Sequence, residues 1–328
     1  MHPDFTVVNY STMLTRRDCI KSAAAAAASI TSPFQLIHSQ ETALITRAIP
    51  SSGETLPIIG LGGAGSFGRL ARSGDIDTLR EVMRALLANG GTAFDTAEAY
   101  GPSEIIAGQL AQELAIEEQL FWSTKVNSAK PEWGPSYPDV TQQQIQDSFN
   151  RIGKSPIDLM QIHNLGDLKT QLPMIRQLKD EGRVRYIGIT YDTPDRNDEL
   201  IQAMHEETLD FIGIDYAVDN PAAAEIILPL AQDRGIAVII YQPFGRTRLW
   251  SRVAGHQVPE WAQEFDANSW AQFFLKYVIA HPAVTVVTPA TTKPANLIDN
   301  LAGGTGRLPD SSMLRRMEDF VTALPSSG

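Results

Sequence analysis

Residues 158–189 read DLMQIHNLGDLKTQLPMIRQLKDEGRVRYIGI. The stretch opens with one apolar run, Asp158–Ile162, and closes with another, Arg185–Ile189. Both are near-continuous rather than alternating, which suits parallel strands covered on both faces. Between them, Leu168–Lys179 carries apolar residues at three- and four-residue spacing, the stripe of an amphipathic helix. Gly182 then stands where a left-handed residue can end a helix before the next strand. The unit is strand, helix, parallel strand.

The same unit recurs outward in both directions. Apolar runs at Ile58–Leu61, Thr92–Phe94, Leu120–Thr124, Phe211–Ile214, Ala237–Tyr241 and Val284–Val287 predict further strands. Asp75–Ala88 predicts a helix from the stripe Ile76, Leu79, Val82, Met83, Leu86 and Leu87. Similar stripes lie in Thr141–Ile152, Asp198–His205, Pro221–Arg234, Ser269–Ala280 and Asp310–Leu324, and Gly90, Gly153 and Gly235 repeat the helix-ending glycine. Eight strands alternating with helices over about 280 residues predict an α/β fold, a (β/α)8 TIM barrel. Ile45–Leu56, with Ser51-Ser52-Gly53 at its centre, predicts an N-terminal β-hairpin plugging the barrel from below. No linker divides the body, so 41–328 is read as one domain. Ala129–Asp139 and Arg246–Trp261 read as long strand-to-helix loops, which are usually functional.

Composition narrows the function. Across 328 residues, 27 basic side chains face 38 acidic ones, a net charge of −11. No basic excess exists to neutralise phosphates, which argues against nucleic acid as a partner. Cys19 is the only cysteine, which excludes a disulfide framework, a thiolate zinc site and an iron–sulfur cluster; no metal is expected.

Residues 1–40 read as a leader. Thr15-Arg16-Arg17-Asp18-Cys19-Ile20-Lys21 carries paired arginines, followed by the alanine run Ala23–Ala28 and the weakly apolar Ile30–Ile37, interrupted by Pro33. A basic segment before a short apolar one is an export signal, and adjacent arginines resemble a twin-arginine signal, with Cys19 where phenylalanine is usual. Met1 and Met13 are both open as the start, and Ile37-His38-Ser39 makes a poor cleavage site. A functional leader implies a periplasmic or exported protein and the twin-arginine machinery as partner; otherwise the protein is cytoplasmic. The alternative is an alanine-rich helix docked on the domain. The stretch is too short and polar to span a bilayer well, and no other segment is long enough, so no stable membrane insertion is expected.

Gly60-Leu61-Gly62-Gly63-Ala64-Gly65 matches a dinucleotide fingerprint, G-x-G-x-x-G, after a strand. That fingerprint needs a helix opening at once and an acidic residue closing the next strand. Here Ser66, Phe67, Gly68 and Gly74 are read as delaying the helix to about Asp75, and the acidic residue is missing. These glycines instead read as letting backbone approach a ligand at the first strand's mouth.

Ionisable residues follow successive strands: Asp95 after the second, Lys125 after the third, His163 after the fourth, with Tyr100 five residues past Asp95. Barrel chemistry sits at the C-terminal strand ends, and neighbouring strands lie about 4.8 Å apart. These groups should therefore converge as a centre for tuned proton transfer. Singly, each has an ordinary reading as an ion pair or core group. Glu98 and Glu104 read as solvated; His205, His256 and His281 read as structural.

At these residues the chain resembles the aldo/keto reductase family. Phe94-Asp95-Thr96-Ala97-Glu98-Ala99-Tyr100-Gly101 is similar to its D-x4-Y motif, Ser123-Thr124-Lys125-Val126 to its lysine strand, and Leu159-Met160-Gln161-Ile162-His163-Asn164 to its histidine strand. Tyr186-Ile187-Gly188-Ile189-Thr190, Tyr241-Gln242-Pro243-Phe244-Gly245 and Val287-Thr288-Pro289 follow in order. The likeness runs from about Thr46 to Asn300.

The resemblance implies reduction of an aldehyde or ketone by a reduced nicotinamide. Tyr100 would be the general acid, its ordinary pKa of about 10 lowered by the Lys125 cation. Asp95 would hold Lys125, and His163 would orient the carbonyl and stabilise developing oxyanion charge. It places Tyr241 against the nicotinamide, and Gln242, Phe244 and Gly245 along the pyrophosphate. Gly63, Ala64, Asn164 and Thr190 belong to the same cofactor set. Tyr191 and Gly213 stand where an asparagine and a glutamine are common. Thr291, Thr292 and Lys293, with Asn296 and Asn300 on the next helix, would bind the adenosine end, and a helix N-terminus favours phosphate. Ala290 and Asn296 replace frequent basic residues. NADP(H) is expected before NAD(H). Trp133, Tyr137 and Trp250, with Trp261 nearby, would wall a pocket for an apolar carbonyl substrate. A monomer is the family default. Two other functions stay open: a Schiff-base lyase or aldolase using Lys125, and an exported nicotinamide-binding sensor with little turnover.

Overall fold

The computed structural model describes residues 43–324; the leader expected in residues 1–40 lies outside the described residues. The chain begins there with the hairpin: β1 (Thr46–Ala48) pairs antiparallel with β2 (Thr55–Pro57). Eight parallel strands follow: β3 (Leu61–Gly62), β4 (Ala93–Asp95), β5 (Phe121–Val126), β6 (Ile157–Ile162), β7 (Val184–Tyr191), β8 (Phe211–Ile214), β9 (Ala237–Ile240) and β10 (Val284–Val287). They pair in sequence order. Backbone bonds from Gly60 N to Val287 O (2.8 Å) and Gly62 N to Pro289 O (3.1 Å) join the last strand to the first. The expected (β/α)8 barrel is therefore the fold.

Eleven α-helices are present among the described residues: α1 (Ser66–Ser73), α2 (Ile76–Ala88), α3 (Ser103–Leu114), α4 (Pro138–Ile152), α5 (Leu168–Asp180), α6 (Asn197–Glu206), α7 (Ile227–Arg234), α8 (Arg248–Arg252), α9 (Trp270–Ile279), α10 (Pro294–Ala302) and α11 (Ser311–Ala323). The glycines Gly90, Gly153, Gly182 and Gly235 all have left-handed φ, as their positions after helices require.

Strand side chains alternate between faces. The outward set (Phe94, Trp122, Met160, Ile212, Val238) joins the helix stripes in one core. The inward set forms a second, smaller core: Ala93, Phe121, Leu159, Tyr186, Phe211, Ala237, Ile239 and Val286, closed from below by Ile49 and Leu56 of the hairpin region. Two residues further along the strands come the next inward positions: Asp95, Ser123, Gln161, Gly213 and Tyr241. The inner wall thus changes from apolar to polar on moving up the barrel.

Several boundaries differ from the sequence expectations. The first strand is Leu61–Gly62, later than Ile58–Leu61, although Ile59 bridges to Val287. A helix does open directly after Gly65: α1 buries Phe67, Gly68 and Ala71, which outweighs the helix-breaking tendency of its glycine. Closed barrel topology, not a delayed helix, is what excludes the doubly wound dinucleotide fold. The helix expected over Pro221–Arg234 is a short turn at Ala222–Ala224, then α7, separated by the non-helical Ile226 (φ −131°). α3 was not expected at all; its stripe is blurred because Ser103 and Glu104 are buried with its apolar residues.

Gly108, inside α3, touches the end of α4. A Cβ there would overlap the Arg151 carbonyl, whose carbon would be 3.0 Å away. Glycine to alanine in an exposed helix interior stabilises by roughly 1 kcal/mol. At Gly108 the sign should invert: Gly108→Ala should destabilise by about 1–3 kcal/mol through overpacking. Denaturant unfolding measures it, and a stabilised variant would contradict the packing described.

Candidate active site

Four elements deliver four groups to one place. Asp95 ends β4, Lys125 is the penultimate residue of β5, and His163 is the first residue past β6. Tyr100 closes a short 3-10 turn, Glu98–Tyr100, in the loop after β4. Lys125 Nζ donates to Asp95 Oδ2 at 2.5 Å and to the Thr96 carbonyl at 2.8 Å, with both charged side chains buried. The ammonium lies 5.0 Å from the Tyr100 ring centroid. The Tyr100 and His163 rings meet edge to face, centroids 5.6 Å apart. The sequence-predicted tetrad converges.

Its electrostatics follow from burial. Burial alone would lower the Lys125 pKa, but the Asp95 carboxylate and Tyr100 outweigh it and raise it. Lys125 is a cation at neutral pH. Burial pushes the Asp95 carboxyl up, while Lys125 and Ser123 hold it back. Burial also pushes the Tyr100 phenol above its ordinary value, and Lys125 opposes this without cancelling it. The expectation that Lys125 brings Tyr100 down is thus corrected: the cation limits the rise. Burial, then Lys125, lower His163 to about 3, so its imidazole is neutral and keeps one N–H to donate.

A cavity of about 720 Å³ opens above this pit, lined among others by Tyr100, His163, Thr190, Tyr241 and Thr288. A second, of about 530 Å³, lies between α8 and α10 and shares Ala290 with the first. The expected cofactor residues divide between them. Ala64, Asn164, Thr190, Tyr241 and Gln242 line the first; Phe244, Thr291, Asn296 and Asn300 line the second. Thr292 is half-buried and Lys293 exposed, immediately before α10. Gly245 is buried at φ 56° beside Asp219. Gly63 faces away from the cavity, towards Ser103, which donates to the Gly63 carbonyl at 3.0 Å; Gly62 and Gly65 line it instead.

The aromatic residues separate. Trp133 lines the first cavity and donates its indole N–H to the Asn164 carbonyl (3.0 Å). Tyr137 is 58% exposed at the start of α4 and lines neither cavity, because the loop turns its ring outward. Trp250 packs on Phe244 (4.9 Å) and lines the second cavity, not the first. Trp261 packs against Phe273 and Phe320.

Other polar groups were missed from sequence. Ser123 donates to Asp95 Oδ1 (2.7 Å), and Gln161 donates to Ser123 (3.1 Å). Both sit two residues before a tetrad member, so strand alternation was the signal that placed them on the inner wall. Glu104, expected to be solvated, is fully buried, accepting from Thr124, Ser148 and Arg151 behind the Lys125 strand. Its neighbours on α4 and β5 are what cover it. His205 and His256 are exposed, and His281 packs edge-on to Tyr216. Among the described residues, no group of His, Cys, Asp and Glu could hold a metal ion, and no helix is long and apolar enough to cross a membrane.

Comparison with known proteins agrees with this geometry. Residues 58–318 match the family model described as "Aldo/keto reductase family". A similar protein from Escherichia coli (strain K12), named NADH-specific methylglyoxal reductase, is 26% identical over 292 residues, covering 76% of this chain and 86% of that one. An aldo-keto reductase from Gibberella moniliformis is 24% identical over 310 residues, covering 83% and 93%. Among solved structures, an aldo-keto reductase from Klebsiella pneumoniae in complex with NADPH superimposes with a TM-score of 0.68 at 21% identity, covering 87% of this chain and 98% of that one. An aldo-keto reductase from Bacillus halodurans, in holo form, gives 0.67 at 20%, covering 87% and 97%. With the barrel, the four converging groups and a family match across most of its length, the chain belongs to the aldo/keto reductase family of oxidoreductases.

Proposed function

We propose that this protein reduces an aldehyde or ketone to an alcohol at the expense of a reduced nicotinamide dinucleotide, with Tyr100 as the proton donor. The observation that carries this is the meeting of Tyr100, Lys125, Asp95 and His163 beneath a cavity that shares Ala290 with a second cavity at the N-terminal end of α10.

The walls fit such a cofactor. The Thr288 hydroxyl and the Gln242 amide oxygen are buried there without a hydrogen-bond partner. At Gly62 a Cβ would meet the Thr288 carbonyl at 2.6 Å, so that wall is bare backbone. Asn164 and Thr190 would hold the nicotinamide end. Gln242, Phe244 and Gly245 would border the pyrophosphate, and Thr291, Thr292, Lys293, Asn296 and Asn300 the adenosine end. When bound, the reduced nicotinamide supplies hydride to the carbonyl carbon.

The chain's own residues do the rest. His163, neutral, donates a hydrogen bond to the carbonyl oxygen and fixes its direction. Tyr100, which holds its proton because it is buried, passes it to that oxygen as charge develops. Lys125 then stabilises the phenolate, and Asp95 keeps the ammonium in place and charged. The same ion pair disfavours a Schiff-base role, since a nucleophilic lysine must lose its proton. The geometry favours neither lyase nor sensor.

For cofactor choice the reading is NADP(H) before NAD(H). Its support is Lys293 at the N-terminus of α10, where a 2′-phosphate gains from charge and helix dipole. The named relatives divide: the Klebsiella protein holds NADPH, and the E. coli protein is named for NADH. Lys293→Ala should lower NADPH affinity about tenfold while leaving NADH affinity unchanged. Equal wild-type affinity for both would contradict the reading.

Tyr100→Phe should lose about 10²–10⁴-fold in carbonyl-dependent NAD(P)H oxidation and still quench on binding cofactor. A variant with wild-type kcat would remove Tyr100 as the acid. His163 generates a pH prediction. Its folded pKa of about 3 lies below the ordinary 6.5, so below pH 6.5 the unfolded chain takes up a proton that the folded one does not. Stability should fall as pH drops through that window, by about 2 kcal/mol between pH 6.5 and 5. Denaturant unfolding of wild type and His163→Gln checks this: the variant should lack that part of the slope, and equal slopes would contradict a neutral, buried imidazole.

A further inference from the structure

Tyr241 does more than line the cavity. It follows β9 directly, and its ring lies against Gly213 of the neighbouring strand β8. A Cβ at residue 213 would overlap the ring, with Cζ 2.5 Å away. The missing side chain at 213 is therefore what admits the ring to the barrel interior. There its face lies 4.7 Å from Lys125 Nζ, while the Tyr100 ring is 5.0 Å from the same atom. The ammonium has two phenol rings as neighbours.

Its hydroxyl is tied to the same centre. Gln161 Nε2 donates to the Tyr241 oxygen (2.9 Å) and to Ser123 Oγ (3.1 Å). Ser123 spends its only hydrogen on Asp95 Oδ1 (2.7 Å), so it must accept from Gln161, which fixes the orientation of the amide. Asp95 in turn holds Lys125. The path Lys125–Asp95–Ser123–Gln161–Tyr241 closes on itself when the Tyr241 ring faces Lys125. A cation near an aromatic face is attracted, more so when water is excluded.

We propose that Gly213, Tyr241 and Gln161 form a positioning unit that holds the Lys125 ammonium in place beside Tyr100, and that Gly213 is the residue that makes the unit possible. The proposal rests on Tyr100 being the acid of a carbonyl reductase, but its physical core is a property of the cofactor-free protein. The titratable groups around the ammonium are Asp95, Tyr100, His163 and Tyr241, with Asp192 farther out at the cavity wall. Displacing the Tyr241 ring leaves only Asp95 and the Thr96 carbonyl to hold Lys125 and lets the ammonium settle away from Tyr100.

The test uses Gly213→Ala, with Tyr241→Leu and Tyr241→Phe beside it in case alanine at 213 prevents folding. Two rings near one ammonium should shift the Lys125 ε-methylene resonance upfield in the cofactor-free wild type. Gly213→Ala and Tyr241→Leu should move it towards the ordinary lysine position; Tyr241→Phe, which keeps the ring but loses the Gln161 bond, should move it less. With cofactor and an aldehyde, the first two should lower kcat about tenfold, as a phenol pKa higher by about one unit implies. They should also move the alkaline limb of the pH profile upward. Unchanged Lys125 resonances in Gly213→Ala and Tyr241→Leu would overturn the proposal. So would lost nicotinamide affinity with an unmoved pH profile, because Tyr241 would then be only a surface for the nicotinamide. A wild type that turns over no carbonyl would defeat the reductase reading instead, and the resonance would still decide the positioning claim.

Discussion

The buried pair Lys125–Asp95 is the constraint around which the upper half of the barrel is arranged. Two charges taken out of water are expensive unless each is paired and its remaining hydrogen-bonding capacity filled. Here the ammonium has a carboxylate at 2.5 Å and the Thr96 carbonyl at 2.8 Å, and the carboxylate has the Ser123 hydroxyl on its other oxygen. Gln161 secures Ser123 in turn. Each member of this set is inward-facing at the height where the inner wall changes from apolar to polar. Below it, Phe121, Tyr186 and Phe211 fill the barrel with rings about 6 Å apart, and Ile49 closes the bottom. A charge pair buried on that apolar floor is little screened, which keeps its field directed at the phenol above it.

The tuning of the Tyr100 phenol follows from this arrangement. Two opposed effects act on Tyr100: burial, which favours the neutral phenol, and Lys125, which favours the phenolate. Burial prevails in the cofactor-free protein. Under the proposed reduction the acid must arrive protonated, and the cation would serve most once the proton has left. His163 is set by the same two causes acting in one direction, burial and the nearby cation both favouring the neutral ring. One ammonium thus keeps one neighbour neutral and prepares another to become an anion.

Much of this was legible in the sequence because it depends on period and order. Apolar runs separated by amphipathic stripes gave the barrel, and the position of Asp95, Lys125 and His163 after consecutive runs brought them to one mouth. What escaped depends on through-space partners. Glu104 reads as a surface carboxylate until Thr124, Ser148 and Arg151 from other elements are placed around it. α1 was missed because local glycine content argued against a helix that tertiary burial of Phe67 supports. Tyr137 and Trp250 were assigned to the substrate pocket from loop membership alone, which fixes a neighbourhood but not the direction of a side chain. Gly213 was legible only as a departure; its consequence for Tyr241 needs the adjacent strand.

The central claim is that Lys125 is a buried cation, held by Asp95 beside Tyr100. Selective labelling of lysine side chains, with the Lys125 resonance followed by NMR from pH 6 to 11 in wild type and Asp95→Asn, tests it most directly. The account predicts that wild-type Lys125 stays protonated past its ordinary 10.5 and that Asp95→Asn, with burial then unopposed by the carboxylate, releases the proton at lower pH. A wild-type Lys125 that loses its proton below 10.5 would contradict it.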